Sequence, residues 1–393
     1  MSKHAEIAGA GIAGLTAATA LAQRGWTVRV HERGRELREI GAGIYLWENA
    51  MSVLEQIGAY DDVVSNAERV DGPELRDHRG RLLQKDWLQD GRLYTVPRKH
   101  LHAALARAAA SAGVEVVTGS MVEGAGPDGH LRLADGSIYE ADLVLGADGV
   151  FSRVRDSLGL LKEMRNLGDG GGRHLIERTD DDPVNAVWEE WNGGRRIGVV
   201  PCSATQTYIF LCCRADDEAG VRQDPFERET WIESFPHYRS QLERITDNSE
   251  GRWAPFFEVV VSSWSAGHAA LVGDAAHAMP PNLGQAACTA MMNVLALAQA
   301  LDGHPDVRRG LAAWERSERK LVDHVQRLST MYGVVGTKWP RPLLDLRSAL
   351  VRGLGVKPVQ QWIQSAAMHV PNLDGSAPRS RWARVHGSPS PVD

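Results

Sequence analysis

The sequence predicts an α/β fold in which a nucleotide-binding domain carries an inserted antiparallel β-sheet and is followed by C-terminal helices. Three observations predict it. Residues 4–8 read as a short buried strand, 13–24 as a helix and 27–32 as a second strand, a β-α-β start with a right-handed crossover. Gly9-x-Gly11-x-x-Gly14 lies at the first strand-to-helix turn. The centre of the chain then carries successive strands at 186–191, 196–200 and 206–213 without intervening helices, which reads as an antiparallel sheet.

The other elements follow in order. Residues 49–58 read as a helix, 70–83 as a hairpin turning at Asp77-His78-Arg79-Gly80, and 98–112 as an Ala-rich helix closed by Gly113. Strands are expected at 114–118, 131–133 and 138–145. The segment 166–182, rich in Gly and Asp, is expected to be mobile. Residues 256–262 lead back to the first domain, 285–301 form a helix, and 307–329 form a long amphipathic helix over the nucleotide-binding domain. The tail after Pro378 is expected to fray. The nucleotide-binding domain is expected from 1–70, 97–165 and 263–303, and the inserted domain from 71–96 and 166–262. A helical region at 304–378 and a flexible tail at 379–393 complete the chain.

Bulk properties exclude several classes. With 393 residues the chain can bury a large core, and 43% hydrophobic with 24% charged residues is a globular composition. A net charge of -6 gives no electrostatic footprint for nucleic acid or an anionic membrane. The longest apolar run, 286–301, is broken by Thr, Asn and Gln and falls short of a span of ~20 residues. No basic, apolar, small-residue signal is read at the start, and Cys202, Cys212, Cys213 and Cys288 have no metal spacing. A reducing, cytoplasmic setting is expected.

The glycines at 9, 11 and 14 suit a dinucleotide: one for the tight turn, one for approach to a pyrophosphate, one for helix–strand packing. The helix start adds unpaired N–H groups for the phosphates. Glu32 ends the second strand 18 residues after Gly14, suited to a ribose hydroxyl. The plain alternative is a glycine-rich turn with no ligand. Gly124-x-Gly126-x-x-Gly129 repeats the pattern, but Pro127-Asp128-Gly129 is a turn followed by a strand, so it reads as a hairpin and no second nicotinamide domain is expected. Gly146-Ala147-Asp148-Gly149 follows a buried strand, and could be a simple Asp-Gly turn with Arg153 and Arg155 in solvent. Asp274 ends an apolar strand, and Pro280-Pro281 interrupts regular structure before the next helix.

Together these three segments resemble the fingerprint of the class A flavoprotein monooxygenases, the single-component flavin-dependent aromatic hydroxylases, over about 6–301. The resemblance implies a Rossmann-like FAD-binding domain of the glutathione-reductase three-layer type. It implies non-covalent FAD, NADH or NADPH as a transient co-substrate, O2, and a small aromatic substrate, in a monomer or homodimer. The implied cofactor residues are Gly9, Gly11, Ile12, Ala13, Gly14, Glu32, Arg33, Ala42, Gly43, Arg98, Asp148, Asp274, Ala286 and Ala287. Of these, Arg98 would reach the pyrophosphate or else be a surface helix-start charge. Ala42 and Gly43 would lie under the isoalloxazine, and Asp274 would accept from a ribityl hydroxyl. Asp148 would meet both FAD and nicotinamide, with Arg153 and Arg155 near phosphates, and the helix start at 286–288 would face the flavin N1–C2=O edge. Pro281 would stand by its backbone near flavin C4a, and His277 is read as structural. Two positions depart from the family: Ala286 where a glycine is common and Asn293 where an acid is common.

On the substrate side, 41–47, 53–63 and 290–293 look like the pyridine-ring-opening branch. That similarity makes Arg196 a carboxylate-binding arginine and Tyr208 a pocket tyrosine. Arg196 could equally be a solvated strand end; Trp253 and Phe256 are pocket walls or core aromatics. The implied reaction passes one oxygen through C4a-hydroperoxyflavin to a phenolic or hydroxylated, carboxylated N-heteroaromatic ring, with or without ring opening. A flavin oxidase or dehydrogenase that does not use NAD(P)H, and a non-catalytic FAD-binding protein, stay open as alternatives.

Overall fold

Strand His4–Ala8 lies at the centre of a six-stranded sheet, parallel to Thr27–Glu32 on one side and to Leu143–Gly146 on the other. The structure is a computed structural model, and it describes residues 2–37, 41–85, 91–246, 252–355 and 365–369. Glu115–Thr118 and Ala269–Leu271 extend the sheet in parallel, and Ser265–Ala266 adds an antiparallel edge. Strands covered on both faces need apolar side chains throughout, and Leu143, Val144 and Leu145 are fully buried. On one face the helix Ile12–Ala22 packs against Arg98–Ser111 and Ala286–Asp302. Its alanines allow that close approach, and nine of its eleven residues are buried. Val122–Ala125, His130–Leu133 and Ile138–Glu140 form a separate three-stranded sheet, so the second glycine motif is indeed a hairpin.

The expected strand 138–145 is two strands in two sheets, Ile138–Glu140 and Leu143–Gly146. Ala141 N donates to Gly129 O, while Asp142 N donates to His4 O, so the chain changes sheets between them.

A seven-stranded sheet forms the other half, in the order Ala254–Val261, Leu161–Glu177, Gln206–Arg214, Arg195–Pro201, Val187–Asn192, Pro73–Arg76, Leu82–Gln84. All neighbours are antiparallel except Val187–Asn192 with Pro73–Arg76. The expectation of a mobile 166–182 is wrong for most of its length: residues 166–177 belong to an interior strand of this sheet. Its glycines answer to packing. A Cβ on Gly170 would stand 2.3 Å from Ala254 O, and one on Gly172 would stand 2.5 Å from Gln223 Oε1. Asp182 beyond it is buried, held by Thr207, Thr179 N and Arg244.

The long helix is longer than expected, Val307–Thr337, and is capped by Asp306, whose side chain accepts from Arg308 N and Arg309 N. It packs on Ala286–Asp302 and on Arg195–Pro201, so it touches both sheets' layers. Trp314 within it is buried and donates from Nε1 to Asn293 O at 3.0 Å. No helix among the described residues is long and apolar enough to cross a membrane.

His277 and His174 are buried, and burial lowers each pKa from 6.5 to about 4. Each therefore takes up a proton more readily unfolded than folded. That contribution is complete above pH ~6.5 and is lost as pH falls toward ~4, at most roughly 3 kcal/mol for each histidine. The melting temperature should fall across that window, and His277→Gln should show a shallower fall, as read by calorimetry from pH 7 to 4.5.

Candidate active site

A single cavity of about 590 Å³ runs from the first strand-to-helix turn to the face of the seven-stranded sheet. Its nucleotide end is built from backbone. Gly9 has φ +100, and a Cβ there would lie 2.5 Å from Ala147 O; a Cβ on Gly14 would lie 2.0 Å from Gly9 O. Those two glycines let the turn, the first helix and the Asp148 loop touch. Gly11 differs: a Cβ there would meet nothing within 4 Å, and the residue lines the cavity. It precedes Ile12–Ala22 without a side-chain cap, so the first amides, with Ile12 and Ala13 at the wall, are available to an anion. Glu32 reaches the same end, its Oε2 accepting from Ala10 N at 3.0 Å and its Oε1 from Gly34 N at 2.8 Å. Arg33 and Arg98 line the wall, and Arg98 N donates to Ala42 O at 2.7 Å.

Asp148 also lies on the cavity. Its Oδ2 accepts from Arg153 N at 2.8 Å and Val154 N at 3.1 Å, capping the Arg153–Ser157 helix, while its buried Oδ1 has no partner among the described residues. Arg153 lines the cavity, but the expectation that Arg155 is available to phosphate is wrong. Arg155 is 1% exposed and donates to Val150 O and Ala275 O, which turns it into the protein.

The late Gly-Asp turn meets the first motif directly. Gly273 has φ +59, and a Cβ there would sit 2.9 Å from the Ala13 Cβ. Asp274 then points from Asp274–His277 into the cavity. Pro281 opens a short 3-10 turn, and Ala286 and Ala287 start a helix with no side-chain cap, all three on the cavity wall. Asn293 is fully buried, and neither of its amide atoms has a hydrogen-bond partner among the described residues. His277 is buried beside Trp264 and does not line the cavity.

These residues fit FAD. An open glycine beneath uncapped amides suits a pyrophosphate, two acids suit the ribose and ribityl hydroxyls, and a side-chain-free strip at Ala42 and Gly43 suits a flat ring.

The far end is the sheet face. Pairing of Arg196 with Cys212, Gly198 with Phe210 and Val200 with Tyr208 puts Arg196, Phe210, Cys212 and Tyr208 on one face. Gly43 joins the two ends, since a Cβ there would be 2.6 Å from the Tyr208 ring. Burial pushes the Tyr208 hydroxyl up to about 12. Arg196 is no solvated strand end: it is 1% exposed, donates from Nη2 to Asn282 Oδ1, and lies over the Tyr332 ring. Phe256 is a cavity wall, while Trp253 packs against the core cluster that contains Ile209, Leu211 and Trp231. Sequence reasoning missed Glu189, Arg173, Tyr45, Tyr332 and Asn282, which also line the cavity. The alternation of Val-Trp-Glu-Glu-Trp-Asn, which puts Glu189 on Trp191's face, was the one local signal for Glu189.

Fold and cavity define an FAD-dependent monooxygenase of the aromatic-hydroxylase type. The profile of the family described as FAD binding domain matches residues 3–319, and the chain belongs to that family. It is 39% identical over 345 residues to a 2-heptyl-3-hydroxy-4(1H)-quinolone synthase of Mycobacteroides abscessus, covering 86% of this chain and 91% of that one. It is 32% identical over 322 residues to an aurachin C monooxygenase/isomerase of Stigmatella aurantiaca, covering 79% and 83%. Among solved structures, the tetrameric form of 2-methyl-3-hydroxypyridine-5-carboxylic acid oxygenase superposes with a TM-score of 0.84 at 36% identity, over 94% of this chain and 97% of that one.

Two variants separate the glycines. Gly11→Val should fold with an apoprotein stability within about 1 kcal/mol of the parent yet bind FAD weakly, because its side chain enters the cavity. Gly14→Ala should cost about 2 kcal/mol or more, since its Cβ collides with backbone. Denaturant titration and flavin fluorescence check both. Asp274→Ala should emerge from purification depleted of FAD; a fully yellow, active variant would remove Asp274 from the cofactor site.

Proposed function

We propose that the protein hydroxylates a phenolic or hydroxylated N-heteroaromatic ring, with FAD held non-covalently, NADH or NADPH as transient reductant, and O2. The observation that carries this reading is the continuity of the cavity across the Gly43–Tyr208 contact. The side-chain-free strip and the aromatic pocket share one continuous space there. The relatives named for quinolone and hydroxypyridine rings support the N-heteroaromatic choice.

Bound FAD supplies the electron transfer and oxygen activation, and the chain supplies position and electrostatics. The amides at Gly11, Ile12 and Ala13, with Arg33 and Arg98, would hold the pyrophosphate end. Glu32 and Asp274 would accept from ribose and ribityl hydroxyls. Ala286 and Ala287 would present helix-start amides to the flavin and stabilise negative charge there. Ala42 and Gly43 would leave room for a flat ring, and the Pro281 backbone would form part of its wall. Tyr208 and Phe210 orient the aromatic substrate by ring contact, with Arg196 below them as a donor. The walls exclude water, which protects reactive species. Asp148 and Arg153 line the approach for nicotinamide, which binds without a domain of its own.

NADH and NADPH oxidation by the yellow protein should be stimulated by phenols or by hydroxylated pyridines and quinolines. A product mass gain of one oxygen marks simple hydroxylation; two oxygens and two hydrogens mark ring opening. Flavin reduction by substrate alone, with no stimulated NAD(P)H oxidation, would replace this reading with an oxidase.

A further inference from the structure

The antiparallel pairing of Trp191 with Arg196 and Glu189 with Gly198 makes Glu189 and Arg196 diagonal neighbours on the sheet face that looks into the cavity. Arg196 Nη1 lies 3.6 Å from Glu189 Oε1, and Glu189 is the one acid in ion-pair range of this guanidinium among the described residues. Glu189 is held in place from both sides. Its Oε1 accepts from Trp191 Nε1 at 2.7 Å, and its Oε2 accepts from Tyr332 OH at 2.9 Å. Burial raises the Glu189 pKa, and Arg196 with these two donors pulls against that rise. The buried Arg196 Nε has no hydrogen-bond partner among the described residues.

A buried guanidinium needs a counter-charge, and here the protein supplies it. A substrate carboxylate gripping Arg196 would crowd a second negative charge against Glu189 in a low-dielectric pocket, an arrangement that rejects ligands. A neutral ring bearing a phenolic or carbonyl oxygen meets no such repulsion.

We propose that Glu189 is a specificity-determining residue: by neutralising Arg196 it selects a hydroxylated N-heteroaromatic ring without a carboxylate over its carboxylated counterpart. This rests on the ring-hydroxylase reading above and replaces the expectation that Arg196 binds a substrate carboxylate. The other arginine on this face, Arg173, is half-buried, hydrogen-bonded to Tyr208, and lines the same cavity, so it is the rival receiver for a carboxylate.

The test uses the FAD-loaded enzyme at neutral pH and reads ligand-induced changes in the flavin spectrum. Two matched pairs serve as probes: 3-hydroxypyridine with its 5-carboxylate, and 4(1H)-quinolone with its 2-carboxylate. The neutral member of at least one pair should bind at least about tenfold tighter, and in Glu189→Gln that ratio should fall by about tenfold or more. Tighter binding of the carboxylates by the parent enzyme overturns the proposal, as does an unmoved ratio in a Glu189→Gln protein that retains FAD. A carboxylate preference abolished by Arg173→Ala would give the role to Arg173 instead. If Glu189→Gln does not retain FAD, the parent ratio alone decides. If no ring of either pair perturbs the flavin or stimulates NAD(P)H oxidation, the ring-hydroxylase reading fails as well; if rings bind but show no charge discrimination, only the Glu189 assignment fails.

Discussion

The contact between three backbone turns governs this molecule. Gly9 stands against Ala147, Gly14 against Gly9, and Gly273 against Ala13, each at a separation that leaves no room for a Cβ. Three segments far apart in the chain are thereby drawn around one space, and the parallel pairing of His4–Ala8 with Leu143–Gly146 fixes their height. The acids follow from that. Glu32, Asp148 and Asp274 are carried to the rim by strands or turns already locked in place, so their positions cost little further ordering.

The same logic of missing side chains extends to the other half. Gly170, Gly171 and Gly172 let an interior strand lie close to its neighbours, Gly198 lets Phe210 lie across the sheet, and Gly43 admits the Tyr208 ring. The cavity is therefore a space defined by absent atoms at its joints and by large side chains at its far wall. Chemistry is divided in the same way: backbone amides and carboxylates at the cofactor end, aromatic rings and one compensated ion pair at the other.

Local signals in the sequence carried the nucleotide end well. Gly9, Gly11 and Gly14 act through a turn and a helix start that lie within six residues, and the strand-then-Asp pattern at Asp274 is equally local. The failures share a cause. Whether a glycine run at 166–182 means slack or tight packing depends on Ala254 and Gln223, which belong to other elements. Arg155 turns inward because Ala275 O awaits it, 120 residues along the chain. The Glu189–Tyr332 contact joins residues 143 apart, so no spacing rule could have revealed the polar wall. Composition reports what a segment contains; the partner that decides its role comes from the topology.

The 31-residue helix Val307–Thr337 has one more consequence. It is about 46 Å long and rests at one end on the cofactor layer and at the other on the substrate sheet. A rod anchored in both halves acts as a splint against bending between them. Gaping of one half from the other would pull Tyr332 off the Trp191 ring and the Glu189 carboxylate, so the helix holds the two walls at a fixed spacing.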